Sequence, residues 1–357
     1  MSKKIKIKKL KRRIGKKAKK KRMIATKDLL SSGSTLLNLA CSDRKEGAFY
    51  KGGIFQFAGD SDTGKSMVTM TIFAEAAKNV NFDEYQFIHD NAEGGALMDV
   101  EEFFGAKCAK RMALPPRGTS RTIEDFYFNL DDLYKTKEPF IYILDSMDGI
   151  SSKADEKKLE EAKKADDADK EVTGSYGMAK AKANSEGLRR AKSRLAKTGS
   201  ILIVVSQTRD AINARFAKKA ISGGKAIKFY ARLQLWASSH SVIKKTVNKI
   251  PHQIGINCTV NIKKNHVSGR RGAVEFPIFN AYGIDDIGSC VDFLIINRWK
   301  KSKQTINATD FGVQFTRDRL ITHIEEEDLV DELVEITAEA WDEIQRECKP
   351  KRRKRYE

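Results

Sequence analysis

Four short apolar runs punctuate the chain: "IFQFAG" (54–59), "YQFIHD" (85–90), "FIYILDS" (140–146) and "ILIVVSQ" (201–207). Their near-continuous Ile, Val, Phe and Tyr predict strands buried on both faces rather than on one. Helical stretches lie between them, "KSMVTMTIFAEAAKN", "IEDFYFNLDDLYK" and "GLRRAKSRLAKTG" among them. Apolar strands alternating with helices predict an α/β fold, a mainly parallel sheet flanked by helices. "RLQLWAS", "NCTVNIKK" and "AVEFPIFN" are further strand-like stretches. The charged, mixed-sign segment 151–172 fits either a solvated helix or a mobile loop. Past residue 300 the chain turns acidic and helical, "EEEDLVDELVEITAEAWDEIQREC", which predicts a small domain over 301–348. No internal repeat is visible, and no apolar run approaches the length of a membrane span.

In an open parallel sheet, ligands sit beyond the carboxyl ends of the strands. "IFQFAG" runs into "GDSDTGKS", with the G-x-x-x-x-G-K-[ST] spacing of a phosphate-binding loop. Gly59, Asp60, Ser61, Asp62, Thr63, Gly64, Lys65, Ser66 and the following Met67 are therefore the candidate nucleotide cradle. Successive backbone N–H groups make an anion nest, backed by the next helix N-terminus. Lys65 is expected to reach the β- and γ-phosphates, and the Ser66 hydroxyl to ligate Mg²⁺. Asp60 and Asp62 look misplaced beside a triphosphate. Because backbone amides form the cradle, both carboxylates can point outward.

The other strand ends supply the rest. Asp145, closing "YILDS", has the Walker-B position for holding the Mg²⁺ shell, or else is a helix cap. Glu93, three residues past "FIHD", is placed either to activate the attacking water or to lie solvated on the surface. Gln207 ends "VVSQ", where an amide either senses a γ-phosphate or caps a turn. Lys65, Glu93 and Gln207 form the candidate catalytic set, and Ser66 and Asp145 the candidate metal set.

Charge changes the picture at the termini. Of the 67 Lys/Arg, 14 lie in residues 1–23 and six in 349–357, which leaves 47 for residues 24–348 against 47 of the 48 acids. The whole excess of +19 thus sits on a basic arm, 1–25, and a basic tail, 349–357. Such blocks stay disordered and attract polyanions, or serve as solubilising or localising tails. The five cysteines are scattered without a C-x-x-C pair, which reads as reduced thiols in a cytoplasmic setting. The N-terminus is far too charged for a secretory signal, and its Lys-rich rather than Arg/Ser-rich composition argues against an organelle transit peptide.

These residues resemble the RecA-type DNA strand-exchange recombinases, including the bacteriophage members. "GSTLLNLA…YKGGIFQFAGDSDTGKS" is similar to the family's "TGS…LD.AL…G.I.EI.GPE.SGK[ST]" opening. "DNAEGGALMD" is similar to "DAEHALD", and "SQTRDAINARF…SGGKAIKFYARLQL" to "NQ.R…F…GGNALKFYASVRL". The likeness spans roughly 30–295 within a core over 26–300. It makes Glu93 the catalytic glutamate and Gln207 the link between γ-phosphate and a second DNA loop near 208–224. In that loop Arg209, Arg215, Phe216, Lys218, Lys219, Gly223, Gly224 and Lys225 become candidate DNA-binding residues. Phe229 falls on a subunit contact, and a first DNA loop falls near 151–177. "IKKNHVSG" resembles "VKNK", whose lysines reach ATP across the subunit boundary. Lys264 matches the first of these, while His266 replaces the second, with Lys263 or Arg270 available to compensate. The family's adenine-stacking aromatic has no clean match, Phe103 being the nearest choice, and the basic arm replaces its N-terminal docking helix.

The resemblance implies a DNA-dependent ATPase that uses ATP and Mg²⁺ and forms homo-oligomeric filaments on single-stranded DNA. It also implies pairing with double-stranded DNA in recombination, repair and replication, beside single-strand-binding and mediator proteins in the host cytoplasm, with no membrane partner. A ring helicase of related fold, or a RecA-like DNA-binding protein without strand exchange, are the rival readings. The segment "GGKAIKFYA" argues against the first and the intact set Lys65, Ser66, Glu93, Asp145 and Gln207 against the second.

Overall fold

The computed structural model describes residues 24–95, 98–166, 178–210, 219–221, 225–353 and 356. A ten-stranded sheet runs in the order Gly283–Ile284, Ala273–Phe279, Ile250–Asn265, Leu233–Val247, Ile54–Gly59, Ile201–Asp210, Phe140–Leu144, Gln86–Asp90, Met112–Ala113. Lys219–Ile221 pairs antiparallel with Ile201–Asp210, off that path. From Leu233–Val247 to Met112–Ala113 every neighbouring pair is parallel. The other side, out to Gly283–Ile284, is antiparallel.

The continuous apolar runs follow from burial on both faces. Phe55, Phe57, Phe87, Ile141, Ile143, Ile201, Ile203 and Val205 pack into one cluster beneath the helix Lys65–Lys78. Their sequence neighbours Ile54, Ile88, Tyr142, Leu144, Leu202 and Val204 pack into a second, beneath the helices Ile123–Thr136 and Met178–Thr198. Because side chains alternate across a strand, burying both sets requires an apolar residue at nearly every position. Phe73 of the first helix stacks on Phe87, ring centroids 5.3 Å apart.

The antiparallel side is longer than the strand-like stretches suggested. Leu233–Val247 and Ile250–Asn265 join through Asn248 and Lys249, both at positive φ (51° and 67°). A two-residue turn of that hand matches the twist of the flanking strands. Of the charged segment near 151–177, residues Lys153–Asp166 form a largely exposed helix, its Asp155 N–H donating to Ser152 Oγ at 3.1 Å. A third cluster, around Cys290, Val291, Leu294, Trp299, Leu320, Ile324 and Leu333, organises the C-terminal part. It includes the antiparallel strands Lys300–Ser302, Thr305–Ala308 and Val313–Thr316 beside the helices Arg317–Glu326 and Val330–Glu347. No helix among the described residues is long and apolar enough to cross a membrane.

Candidate nucleotide site

The loop between Ile54–Gly59 and Lys65–Lys78 has the geometry that its sequence requires. Gly64 caps the helix at φ 82°, and a Cβ there would stand 2.5 Å from Ile278 Cδ1. A Cβ on Gly59 would stand 2.5 Å from the Ala237 carbonyl oxygen. Gly59 is thus fixed by the close approach of backbone, and Gly64 by its left-handed backbone. Thr63 is buried and its carbonyl accepts from the Cys258 thiol at 3.2 Å, which fixes the loop from below. Ser61 and Asp62 are exposed, and Asp62 adopts φ 57°. Met67 lies in the first helical turn, half-buried, and its carbonyl accepts from Thr71 Oγ1 at 2.8 Å.

Four parallel strand ends converge here. The pairing of Gly59 with Gln207 and of Asp90 with Leu144 puts the four carboxyl ends side by side. Ser66 Oγ donates to Asp145 Oδ2 at 2.8 Å. Lys65 is buried, and its Nζ donates to the Asp60 carbonyl. Burial lowers the Lys65 pKa, opposed by the carboxylates of Glu93, Asp145, Asp60 and Asp62. Burial raises the Asp145 carboxyl, opposed by its Ser66 hydrogen bond and by Lys65. A buried carboxylate touching a hydroxyl at the mouth of an amide-lined loop fits Mg²⁺, which takes one or two protein oxygens and fills its shell with water and phosphate. No cluster of three or more His, Cys, Asp or Glu able to hold a metal occurs among the described residues.

Glu93 is exposed and joined to both neighbours. Its N–H donates to the Asp145 carbonyl at 3.0 Å, and its Oε1 accepts from Gln207 Nε2. The Gln207 N–H donates to Asp148 Oδ2 at 2.7 Å, whereas Asp148 Oδ1 is buried without a partner. Thr208, next along the strand, donates from Oγ1 to Asp60 Oδ1. Asp148 and Thr208 escaped the sequence reading, since an Asp three residues past a strand and a Thr inside one carry no motif. Asp90 also ends a strand, but its carboxylate is fully buried and accepts from Ser120 N (2.9 Å), Ser120 Oγ (2.6 Å) and Tyr142 OH (2.5 Å). It is a structural group.

Lys264 and His266 stand apart from this constellation, at the opposite end of the central strands. Asn265 pairs with Leu233, which pairs with Phe55, near the amino end of the Ile54–Gly59 strand. Lys264 Nζ donates to the carbonyls of Lys228 (2.7 Å) and Phe229 (2.9 Å), at the end of the helix Lys225–Tyr230. Burial lowers the His266 pKa, helped by Lys264 and Arg232, so the imidazole is neutral near pH 7. Arg270 is engaged with Asp43 at 2.8 Å, and Lys263 lies over the Trp236 ring at 5.8 Å. Phe229 is 74% exposed. Phe103 is half-buried and lines a cavity of about 870 Å³ with Phe104, Thr71 and Tyr282, away from the phosphate loop. Arg215, Phe216, Lys218, Gly223 and Gly224 lie outside the described residues, as does the arm 1–23. Of Arg209, Lys219 and Lys225 only the backbone is described.

Known sequences similar to this chain are RecA proteins. The RecA N-terminal domain family matches residues 162–285. That span holds the strand Ile201–Asp210, which runs three residues past the predicted end at Gln207, and the long antiparallel pair, but not the phosphate loop. The RecA protein of Ureaplasma parvum serovar 3 is 26% identical over 251 residues, which cover 68% of this chain and 66% of that protein. The aligned part is thus just under two thirds of that relative. The RecA protein of Malacoplasma penetrans is 25% identical over 297 residues, 81% of this chain and 80% of its own. That of Synechococcus elongatus is 25% identical over 308 residues, 84% and 77%. Fold and site together define an α/β phosphate-loop protein with a RecA-like core. The chain is related to the RecA proteins.

Proposed function

We propose that this protein is an ATP-dependent homologous recombinase, a DNA-stimulated ATPase that assembles on single-stranded DNA and pairs it with a homologous duplex. One observation carries the reading. Lys65, Ser66, Asp145, Glu93 and Gln207 meet at adjacent strand ends. Gln207 then leads without interruption into the segment 208–224.

In this reading the amides of the loop and the Lys65 ammonium bind the β- and γ-phosphates of ATP. Ser66 Oγ and the Asp145 carboxylate hold Mg²⁺, which when bound neutralises charge on the phosphoryl oxygens. Glu93 accepts a proton from the attacking water and fixes its direction. The Gln207 amide, held by Glu93 in the structure, exchanges that contact for a phosphate oxygen and carries the change into 208–224. There Arg209, Arg215, Lys218, Lys219 and Lys225 neutralise DNA phosphates and Phe216 makes a sequence-tolerant contact. Base pairing, not side chains, reads the sequence. Lys264 and His266, at the far end of the molecule, reach the nucleotide of the adjoining protomer in a homo-oligomeric filament. The neutral imidazole contributes a hydrogen bond where a lysine would contribute charge. Single-strand-binding and mediator proteins are the expected partners, in the cytoplasm.

Electron microscopy with single-stranded DNA and a slowly hydrolysed ATP analogue tests this directly. Helical filaments are the expected result, and a Lys65→Ala variant should give none. Six-membered rings would favour the helicase reading instead, and dispersed particles would remove both.

A further inference from the structure

Asp60 is the loop residue that phosphate binding explains least. Its carboxylate sits one position past Gly59, in the field that the loop amides create for an anion. The residue is half-buried, so water screens that charge only in part. Two sets of its contacts bear on the loop and its neighbour strand. Its carbonyl accepts from Lys65 Nζ and, at 2.9 Å, from the Thr63 hydroxyl. Its carboxylate Oδ1 accepts from the Thr208 hydroxyl. Asp60 therefore meets the phosphate cradle through its backbone and the neighbouring strand through its side chain.

The position of Thr208 gives that second contact its meaning. It lies one residue beyond the Gly59–Gln207 pair. It also pairs with Ile221 on the returning strand Lys219–Ile221. One hydroxyl thus touches the nucleotide loop at the point where both ends of 208–224 come together.

We infer that Asp60 and Thr208 are positioning residues that couple nucleotide binding to the grip on DNA, an inference resting on the function proposed above. The Thr208 hydroxyl turns the Asp60 carboxylate out of the cradle, so that the loop tolerates an acid beside a triphosphate. When Lys65 leaves the Asp60 carbonyl for a phosphate oxygen, Asp60 shifts, and its side chain carries Thr208 and the root of the second loop with it. Gln207 reads the γ-phosphate by touching it. The Asp60–Thr208 pair reads the departure of Lys65.

Two full-length variants separate this from a merely structural role: Thr208→Val, close in shape and suited to a strand, and Thr208→Val combined with Asp60→Ala. Affinity for a fluorescent ATP analogue is measured without DNA. The ratio of single-stranded DNA affinities with a slowly hydrolysed ATP analogue and with ADP is measured beside it. In Thr208→Val, nucleotide affinity should fall by about ten-fold, the effect of losing a hydrogen bond to a charged group. In the double variant it should return to within about two-fold of the parent, because no carboxylate remains to turn inward. The DNA-affinity ratio should fall several-fold towards one in both, since both lack the link. A double variant as weak for nucleotide as Thr208→Val would assign the loss to the strand and overturn the proposal. So would a parental DNA ratio in both variants. A ratio of one in the parent protein is a different outcome: it removes the proposed function itself and the coupling with it.

Discussion

Ser66 Oγ and Asp145 Oδ2 meet at 2.8 Å, joining the first turn of a helix to a strand end 79 positions away. Two oxygens so placed at the mouth of a phosphate loop would supply a third of the octahedral shell of the Mg²⁺ proposed above. The metal requires the carboxylate in its charged form, and burial holds the Asp145 carboxyl above its ordinary range. The charge is therefore lost earlier on acidification than in an exposed aspartate. The Mg²⁺ concentration for half-maximal ATP hydrolysis should rise on acidification at a higher pH than an exposed aspartate would give. Asp145→Asn should raise it by at least about ten-fold and flatten that trend, since a charge-assisted contact is replaced by a neutral one. A titration of hydrolysis rate against Mg²⁺ at several pH values reads both effects.

Glu93 lies between Asp145 and Gln207, and among the described residues it touches no phosphate-loop side chain through a hydrogen bond. Glu93→Gln keeps the shape of the side chain and loses its basicity. ATP-dependent binding to single-stranded DNA should persist, while turnover falls by about 10²–10⁴-fold, the usual scale for a positioned general base. Turnover close to that of the parent would remove Glu93 from the role.

The arm can be tested by salt alone. If its 14 Lys/Arg meet DNA phosphates, deleting residues 2–22 should weaken binding and flatten the plot of log affinity against log salt. Each single-strand phosphate that the arm no longer neutralises changes that slope by about 0.7. An unaltered slope would leave the arm a tail that meets no phosphates.

Much of this was legible in the chain, for a physical reason. A parallel strand buried on both faces has to be apolar throughout, so 54–59, 140–144 and 201–205 declare themselves without an alignment. The phosphate loop is equally plain, because backbone approach at Gly59 and positive φ at Gly64 favour glycine. The outer half of the long hairpin was not legible. Residues 244–253 pair only with each other there, beyond the third strand, so burial imposes no apolar pattern on them. Their turn uses Asn248 and Lys249 rather than an Asn-Gly signal. Contacts between distant positions, such as Thr208 with Asp60 or Asp148 with the Gln207 N–H, were invisible for another reason: they depend on the register of neighbouring strands, which the sequence pattern does not state.

The junction between the core and the C-terminal cluster should carry its own pH dependence. Asp286 opens the helix Asp286–Asn297 and accepts from Thr35 N (2.6 Å) and Thr35 Oγ1 (2.7 Å). Burial nevertheless pushes its carboxyl up to about 6; the Thr35 hydrogen bonds oppose the rise, and Glu75 and Asp285 add to it. An unfolded aspartate releases its proton near pH 4. Between those values the folded chain binds more protons than the unfolded one, so this group stabilises the fold as pH falls and costs stability as pH rises through 6. From pH 7 to pH 5 the gain should be about 1 kcal/mol. Asp286→Asn keeps an acceptor for one Thr35 donor and cannot titrate. Denaturant unfolding at the two pH values should therefore show a pH increment smaller by about 1 kcal/mol in the variant. Equal increments in the two proteins would mean that Asp286 is already charged in the folded state, and that its two Thr35 hydrogen bonds outweigh its burial.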